Sequence, residues 1–201
     1  MSLRIAFGFA LTFTFMITTA ACRDGDESTV ARVIGHRGSG TSSDTNPLPE
    51  NTVPSIARAM ADGADGVEID VQRTADGVLV LMHDFEVDHT TNGTGCVSAL
   101  DAEAISALDA GAPSRLGEGF VVPTLRGVLD ALPAGVLDIE LKVTTDHATC
   151  APTDREATVS LLLEDVANFP RERLVVSSFD AEILRLVRAA DPTITIALIA
   201  S

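Results

Sequence analysis

Val136-Leu137-Asp138-Ile139-Glu140-Leu141-Lys142 alternates apolar and charged residues with a period of two. A β-strand sends successive side chains to opposite faces, so Leu137, Ile139 and Leu141 share one face and Asp138, Glu140 and Lys142 the other. The apolar face calls for helices packed on it, as in a parallel sheet. Upstream, Val67-Glu68-Ile69-Asp70-Val71 repeats the design, with Glu68 and Asp70 together on one face. Like charges gathered in a protein interior are costly unless a cation joins them. Glu68, Asp70 and Glu140 are therefore read as sharing one hard divalent cation, Ca2+ or Mg2+, both of which prefer oxygen ligands. Lys142 beside them points to an anionic substrate.

Working outward, short apolar runs rich in β-branched residues occur at Val33 to His36, Val67 to Asp70, Val78 to His83, Val136 to Lys142, Leu174 to Phe179 and Thr193 to Ile199, giving six predicted strands. Helical patterns lie between most of them, each with a start signal: Thr52 before Val53-Pro54, Thr124 before Leu125, a capping box from Thr153 to Glu156, and Asp180 before Ala181. Strands alternating with helices imply an α/β fold built on a parallel sheet. The exception is Val71 to Gly77, which separates the second and third strands. It is short for a helical crossover, so it is either a β-hairpin or an extended return along one strand.

Reactive residue types collect at the strand ends. His36-Arg37-Gly38 closes the first strand, and Pro49-Glu50-Asn51-Thr52 opens the following helix after a linker-like stretch, Ser39 to Leu48, that suits an active-site loop. There His36 suits proton transfer, Arg37 can fork onto a phosphate, and Gly38 lets the backbone turn. His83-Asp84 closes the third strand ahead of Thr90-Thr91-Asn92-Gly93-Thr94-Gly95. A lone strand-end histidine is ordinarily a hydrogen-bonded polar residue. Two of them, together with paired acids on neighbouring strands, argue for a site.

In this order the motifs His36-Arg37-Gly38, Pro49-Glu50-Asn51-Thr52, Glu68-Ile69-Asp70, His83-Asp84, Thr90 to Gly95 and Glu140-Leu141-Lys142 resemble those of the glycerophosphodiester phosphodiesterases, over about Val33 to Phe179. The resemblance implies a distorted (β/α)8 TIM-type barrel that cleaves small-molecule glycerophosphodiesters to sn-glycerol 3-phosphate and an alcohol. It implies His36 and His83 as the general acid/base pair and Glu68, Asp70 and Glu140 as metal ligands. Arg37 and Lys142 would serve the phosphate, and Glu50 and Asn51 would orient the site. His89 stands where the family carries an arginine and is read as a loop variant, and His147 as solvent-facing. A barrel ending directly after its sixth strand is expected to be truncated there, with open edges for a partner or a second copy to cover. Alternatives are a related phospholipase D-like enzyme acting on lysophospholipid or sphingolipid, and an inactive exported fragment.

The N-terminus reads as a targeting segment. Arg4, the apolar run Ile5 to Ile17 and the small residues Thr18 to Ala21 make residues 1–21 a signal peptide, too short for a membrane span. Cys22 with the polar stretch behind it resembles a lipoprotein processing site, so residues 22–30 are read as a lipidated cysteine and linker and residues 31–201 as the barrel. Periplasmic or envelope anchorage, or simple secretion, follows. Cys96 and Cys150 are then left either as a disulfide pair in an oxidising compartment or as two buried free thiols. With 14 basic and 29 acidic residues the formal net charge is −15, which argues against nucleic acid and leaves the acyl anchor as the one route to a membrane. Acylation of Cys22 predicts that exported protein partitions into detergent and that Cys22→Ser releases it or leaves its precursor uncleaved. Wild-type protein that is wholly soluble and starts on an unmodified residue would decide for simple secretion.

Overall fold

The computed structural model describes residues 32–43, 46–111, 119–132 and 134–200. The leader and Cys22 lie outside them. Among the described residues no helix is long and apolar enough to cross a membrane.

Five strands run parallel: β1 (Ile34–Gly35), β2 (Gly66–Arg73), then, after a short β3 (Leu79–Leu81), β4 (Val136–Leu141), β5 (Leu174–Ser178) and β6 (Thr195–Leu198), in the spatial order β1-β2-β4-β5-β6. Helices α1 (Val53–Ala61), α3 (Leu125–Ala131), α4 (Arg155–Asp165) and α5 (Ala181–Ala190) intervene, while the short α2 (Ala102–Ser106) sits in the excursion after β3. Among the described residues β1 and β6 form the two edges of the sheet.

The anticipated alternation is realised in full. Val67, Ile69 and Val71 of β2, Leu137, Ile139 and Leu141 of β4 and Val176 of β5 are all completely buried, in one cluster with Ile56, Leu125, Val128, Leu162, Ile183 and Val187 of the helices. Burying one such side chain stabilises the fold by about 1.5–3 kcal/mol. The opposite face of β2 and β4 carries the acids. Parallel pairing sets Glu68 opposite Asp138 and Asp70 opposite Glu140.

The segment after β2 is the hairpin of the two predicted alternatives. β3 pairs antiparallel with the far end of β2, Val71 opposite Leu81 and Arg73 opposite Leu79. The turn is closed by Thr74, whose backbone N–H donates to the Val78 carbonyl (2.9 Å) and whose hydroxyl accepts from the Val78 N–H (2.9 Å). Gly77, at φ 82°, takes the left-handed position that glycine adopts without strain. β4 is consequently the parallel neighbour of β2, and β6 is the fifth strand of the parallel series rather than the sixth. A second apolar cluster, Val80, Met82, Val87, Val97, Ile105 and Val122, packs under the excursion that follows β3.

The helix starts hold at Thr52, Thr124 and Asp180, whose side chains accept from the backbone N–H groups of Ser55, Gly127 and Ile183. The fourth requires a correction. Asp154, not Thr153, caps α4, accepting from Ala157 N–H at 3.0 Å. Thr153 is committed elsewhere, its hydroxyl accepting from Thr144 N–H at 3.0 Å and its own N–H donating to the Thr144 carbonyl at 2.9 Å.

Ile139 sits at the centre of this arrangement, between β2 and β5 and beneath the helices, with no exposed surface. Ile139→Ala should lower unfolding free energy by about 2–5 kcal/mol, and Ile139→Val by about 0.5–1.5 kcal/mol, measured by chemical denaturation. A loss under about 1 kcal/mol for the alanine variant would contradict the packing described.

Candidate active site

The candidate site forms at the ends of β1, β2 and β4, where the peptide chain itself is under constraint. Arg37 and Asn51 both hold left-handed backbone conformations, φ 53° and 55°, and neither is glycine. Such conformations cost roughly 1–2 kcal/mol each and persist where surrounding contacts fix them. Here the fixing is mutual, because Asn51 N–H donates to the Arg37 carbonyl at 3.0 Å, and Ser55 Oγ donates to the same carbonyl at 3.2 Å. Gly38 follows at φ 87°, and a Cβ there would stand 2.5 Å from Ser55 Oγ. The tight turn aims the Arg37 N–H at Glu68 Oε2, 2.9 Å away.

Glu68, Asp70 and Glu140 come together as the sequence implies, each offering a carboxylate oxygen within 4.8 Å of the others. Asp70 is completely buried and Glu140 nearly so. Asn51 grips Asp70 twice, its Nδ2 donating to Oδ2 (2.9 Å) and its Oδ1 accepting from the Asp70 N–H (3.1 Å). Arg37 Nη1 donates to Glu50 Oε1 at 2.8 Å, and its Nε stands 3.3 Å from Asp70 Oδ2. Lys142 Nζ donates to Glu140 Oε1 at 2.9 Å and lies 3.5 Å from Asp70 Oδ1. In their ionised forms four carboxylates, Glu50 among them, face two cations, leaving two negative charges for a divalent ion to balance.

Two further observations fit a cation. Glu68 Oε1 and Asp70 Oδ1 are buried and accept no hydrogen bond, a costly arrangement unless another positive group faces them. Burial, reinforced by the charge of Asp70, pushes the Glu68 carboxyl up to about 8. A bound divalent ion reverses that preference and makes the carboxylate the cheaper form. All-oxygen donors of this kind suit Ca2+ or Mg2+.

The two histidines follow β1 and β3. His36 Nε2 lies 3.9 Å from Glu68 Oε2 and is mostly exposed. The hairpin places His83: by running antiparallel, β3 returns the chain to the level of Asp70, whose carbonyl accepts from Met82 N–H at 3.0 Å. Gln72 fixes the returning strand end, its side-chain amide lying 2.9 Å from the Met82 carbonyl and 2.6 Å from that of Asp84. His83 Nδ1 is 2.7 Å from Asp84 Oδ1. One cleft is lined by His83 with Glu50 and Asn51, and a larger pocket of about 230 Å3 by His83, Asp84, Phe85, Glu86, His89, Lys142 and His147. Lys142 thus connects the pocket to the carboxylates.

Some readings are corrected. His147 is half-buried rather than solvent-facing, packing edge-on against Phe85 at 5.5 Å between ring centroids. His89 is more than a loop variant, since its Nδ1 lies 2.9 Å from the second oxygen of Asp84. Cys96 and Cys150 are bonded, tying the excursion after β3 to the loop after β4, and Thr149 donates to Glu86 beside them. The bonded cysteines lie beside Glu86 and His147, which line the pocket. Gln72, Ser55 and Asp84 acquire positioning contacts that the sequence reading left without a role. The signal for Gln72 was present, as a polar residue on the same strand face as Glu68 and Asp70.

Comparisons with known proteins point to one family. Residues 36–201 match the model of the glycerophosphoryl diester phosphodiesterase family. A glycerophosphodiester phosphodiesterase of Caldanaerobacter subterraneus is 40% identical over 172 residues, covering 83% of this chain and 65% of that protein. Human glycerophosphodiester phosphodiesterase 1 is 36% identical over 170 residues, covering 82% of this chain and 47% of that one. The chain therefore spans about half to two thirds of the length of these curated relatives. Among solved structures, an Oleispira antarctica phosphodiesterase in complex with the product sn-glycerol-3-phosphate superposes with a TM-score of 0.73 at 28% identity, covering 87% of this chain and 68% of that one. A glycerophosphodiester phosphodiesterase from Agrobacterium tumefaciens gives a TM-score of 0.66 at 30% identity, covering 83% and 66%.

Proposed function

The chain belongs to the glycerophosphoryl diester phosphodiesterase family, and from that premise we propose that it hydrolyses glycerophosphodiesters to sn-glycerol 3-phosphate and an alcohol with the help of one divalent cation. The observation that carries the reading is the cluster of Glu68, Asp70 and Glu140, with two buried oxygens lacking hydrogen bonds, in contact with Arg37 and Lys142, with His36 3.9 Å from Glu68 and His83 lining clefts with Asn51 and Lys142. The metal-dependent step is assigned to Ca2+ or Mg2+ held by those three carboxylates. When bound, such an ion polarises a phosphoryl oxygen and screens its charge.

The remaining work belongs to the side chains. Arg37 and Lys142 are assigned to the phosphodiester anion, Arg37 as a planar donor and Lys142 as a point charge. Each is now held by a carboxylate, so substrate or metal binding competes for contacts already in place. Glu50 orients Arg37 and Asn51 orients Asp70. His36 and His83 are assigned as the proton-transfer pair. One assists attack of the neighbouring glycerol hydroxyl on phosphorus and the other protonates the departing alcohol, after which the cyclic phosphate is hydrolysed. The Asp84 contact at Nδ1 leaves His83 Nε2 free for that role. The pocket of about 230 Å3 beside His83 offers room for the departing group. Export to an oxidising compartment belongs to the same proposal and is supported by the Cys96 to Cys150 bond.

The test is release of glycerol 3-phosphate from glycerophosphocholine by purified protein. Turnover should require Ca2+ or Mg2+ and stop in excess EDTA. His36→Ala and His83→Ala should each lower kcat by about 10² to 10⁴ with substrate binding retained. Undiminished turnover in EDTA removes the metal from the reading, and near-normal turnover in either variant removes that histidine.

A further inference from the structure

Asp84 is shared. One carboxylate oxygen meets His83 Nδ1 at 2.7 Å and the other meets His89 Nδ1 at 2.9 Å, giving a chain His83–Asp84–His89 joined through one carboxylate. The two ends differ in access to water. His83 is about one-third exposed, while the His89 side chain is 74% exposed and exchanges protons with solvent directly. The ionisable groups around His89 are Asp84 at the strand end, Glu86 and Asp88 on its own turn, and His83, Lys142 and His147 across the pocket. Asp88 is occupied by the Gly95 N–H at 2.8 Å and Glu86 by Thr149, so Asp84 is the carboxylate left to answer His89.

We infer that His89 is a positioning residue for His83, which by gaining or losing its own proton sets how much of the charge of Asp84 is available to the proton-transfer imidazole. Protonated, His89 draws on the Asp84 charge from the far side. Neutral, it either donates without a charge or turns away, and Asp84 then answers to His83 alone. The hydrogen bond and charge of Asp84, with smaller help from Asp88 and Glu86, hold His89 protonated to higher pH than an ordinary histidine. The clamp on Asp84 is therefore complete at low pH and is lost as pH rises through the raised value. Although burial works against ionisation of Asp84, its hydrogen bonds to His83 and His89 keep it below the usual carboxylate range. An arginine in place of His89 would clamp Asp84 at every working pH, so histidine adds a dependence that a permanent cation lacks.

The catalytic consequence rests on the proposed role of His83, and the experiment separates the two. In ¹⁵N NMR of the imidazoles between about pH 5 and 8, the wild-type His83 ring signals should move in step with the titration of His89. In His89→Arg and His89→Asn that step should vanish, with the two variants resting at opposite ends of the wild-type excursion. In parallel, the pH profile of kcat should follow His89→Arg at low pH and His89→Asn at high pH, with the two plateaus differing several-fold. His83 signals that ignore the titration of His89, or that coincide in the two variants, overturn the inference whether or not any diester is hydrolysed. Superimposable kcat profiles in an active enzyme overturn its catalytic part.

Discussion

Mutual repulsion of Glu68, Asp70 and Glu140 is the constraint on which the rest of the site depends. Parallel pairing of β2 with β4 sets Asp70 directly opposite Glu140, and the period of two brings Glu68 onto the same face. Each neighbouring polar group then has a partner in that repulsion. Asn51 holds Asp70 at two atoms, Arg37 spans Glu50 and Asp70, Lys142 spans Glu140 and Asp70, and the Arg37 N–H meets Glu68. The compensation is incomplete: with every carboxylate ionised two negative charges are left over, and Glu68 Oε1 and Asp70 Oδ1 are buried without accepting a hydrogen bond. A pair of like charges at about 4 Å is unfavourable by about 4 kcal/mol at an effective dielectric constant of 20. A shared cation would relieve that cost, which is why the cluster supports the proposed metal site.

The surrounding architecture follows from bringing other groups to that cluster. Two left-handed residues, Arg37 and Asn51, let a turn and a helix start converge on β2. The hairpin after β2 brings His83, thirteen residues on, back to the level of Asp70, where a helical crossover would have carried the chain to the next parallel strand. The disulfide and the second apolar cluster hold the excursion that bears Phe85, Glu86 and His89. Stability lives in the helix-covered face of the sheet and chemistry on the other, so core substitutions and site substitutions are separable in experiment.

Much of this was legible in the sequence because local rules governed it. Alternation in β2 and β4 identified both the buried face and the acid face, and Thr52, Thr124 and Asp180 marked helix starts by their hydrogen-bonding side chains. The ordered motifs pointed to the family before any geometry. What escaped depended on contacts distant in sequence or on a choice between equals. The link from Val71 to Gly77 was short enough for a hairpin and long enough for an extended return, and only pairing with β2 decides. Thr153 and Asp154 can both cap a helix, and the bonds of Thr153 to Thr144 decide between them. His89 and His147 looked peripheral because their partners, Asp84 and Phe85, are set by how the loops fold together.

The central claim, that the three carboxylates hold one divalent cation, is tested most directly by calorimetric titration of the metal-free protein with Ca2+ and with Mg2+, alongside thermal melting. The account predicts saturable binding of one ion, a rise in Tm that grows with metal concentration as linkage requires, and loss of both effects in Glu68→Gln and Glu140→Gln. Absence of saturable binding with either ion, together with a Tm that ignores metal, would contradict it.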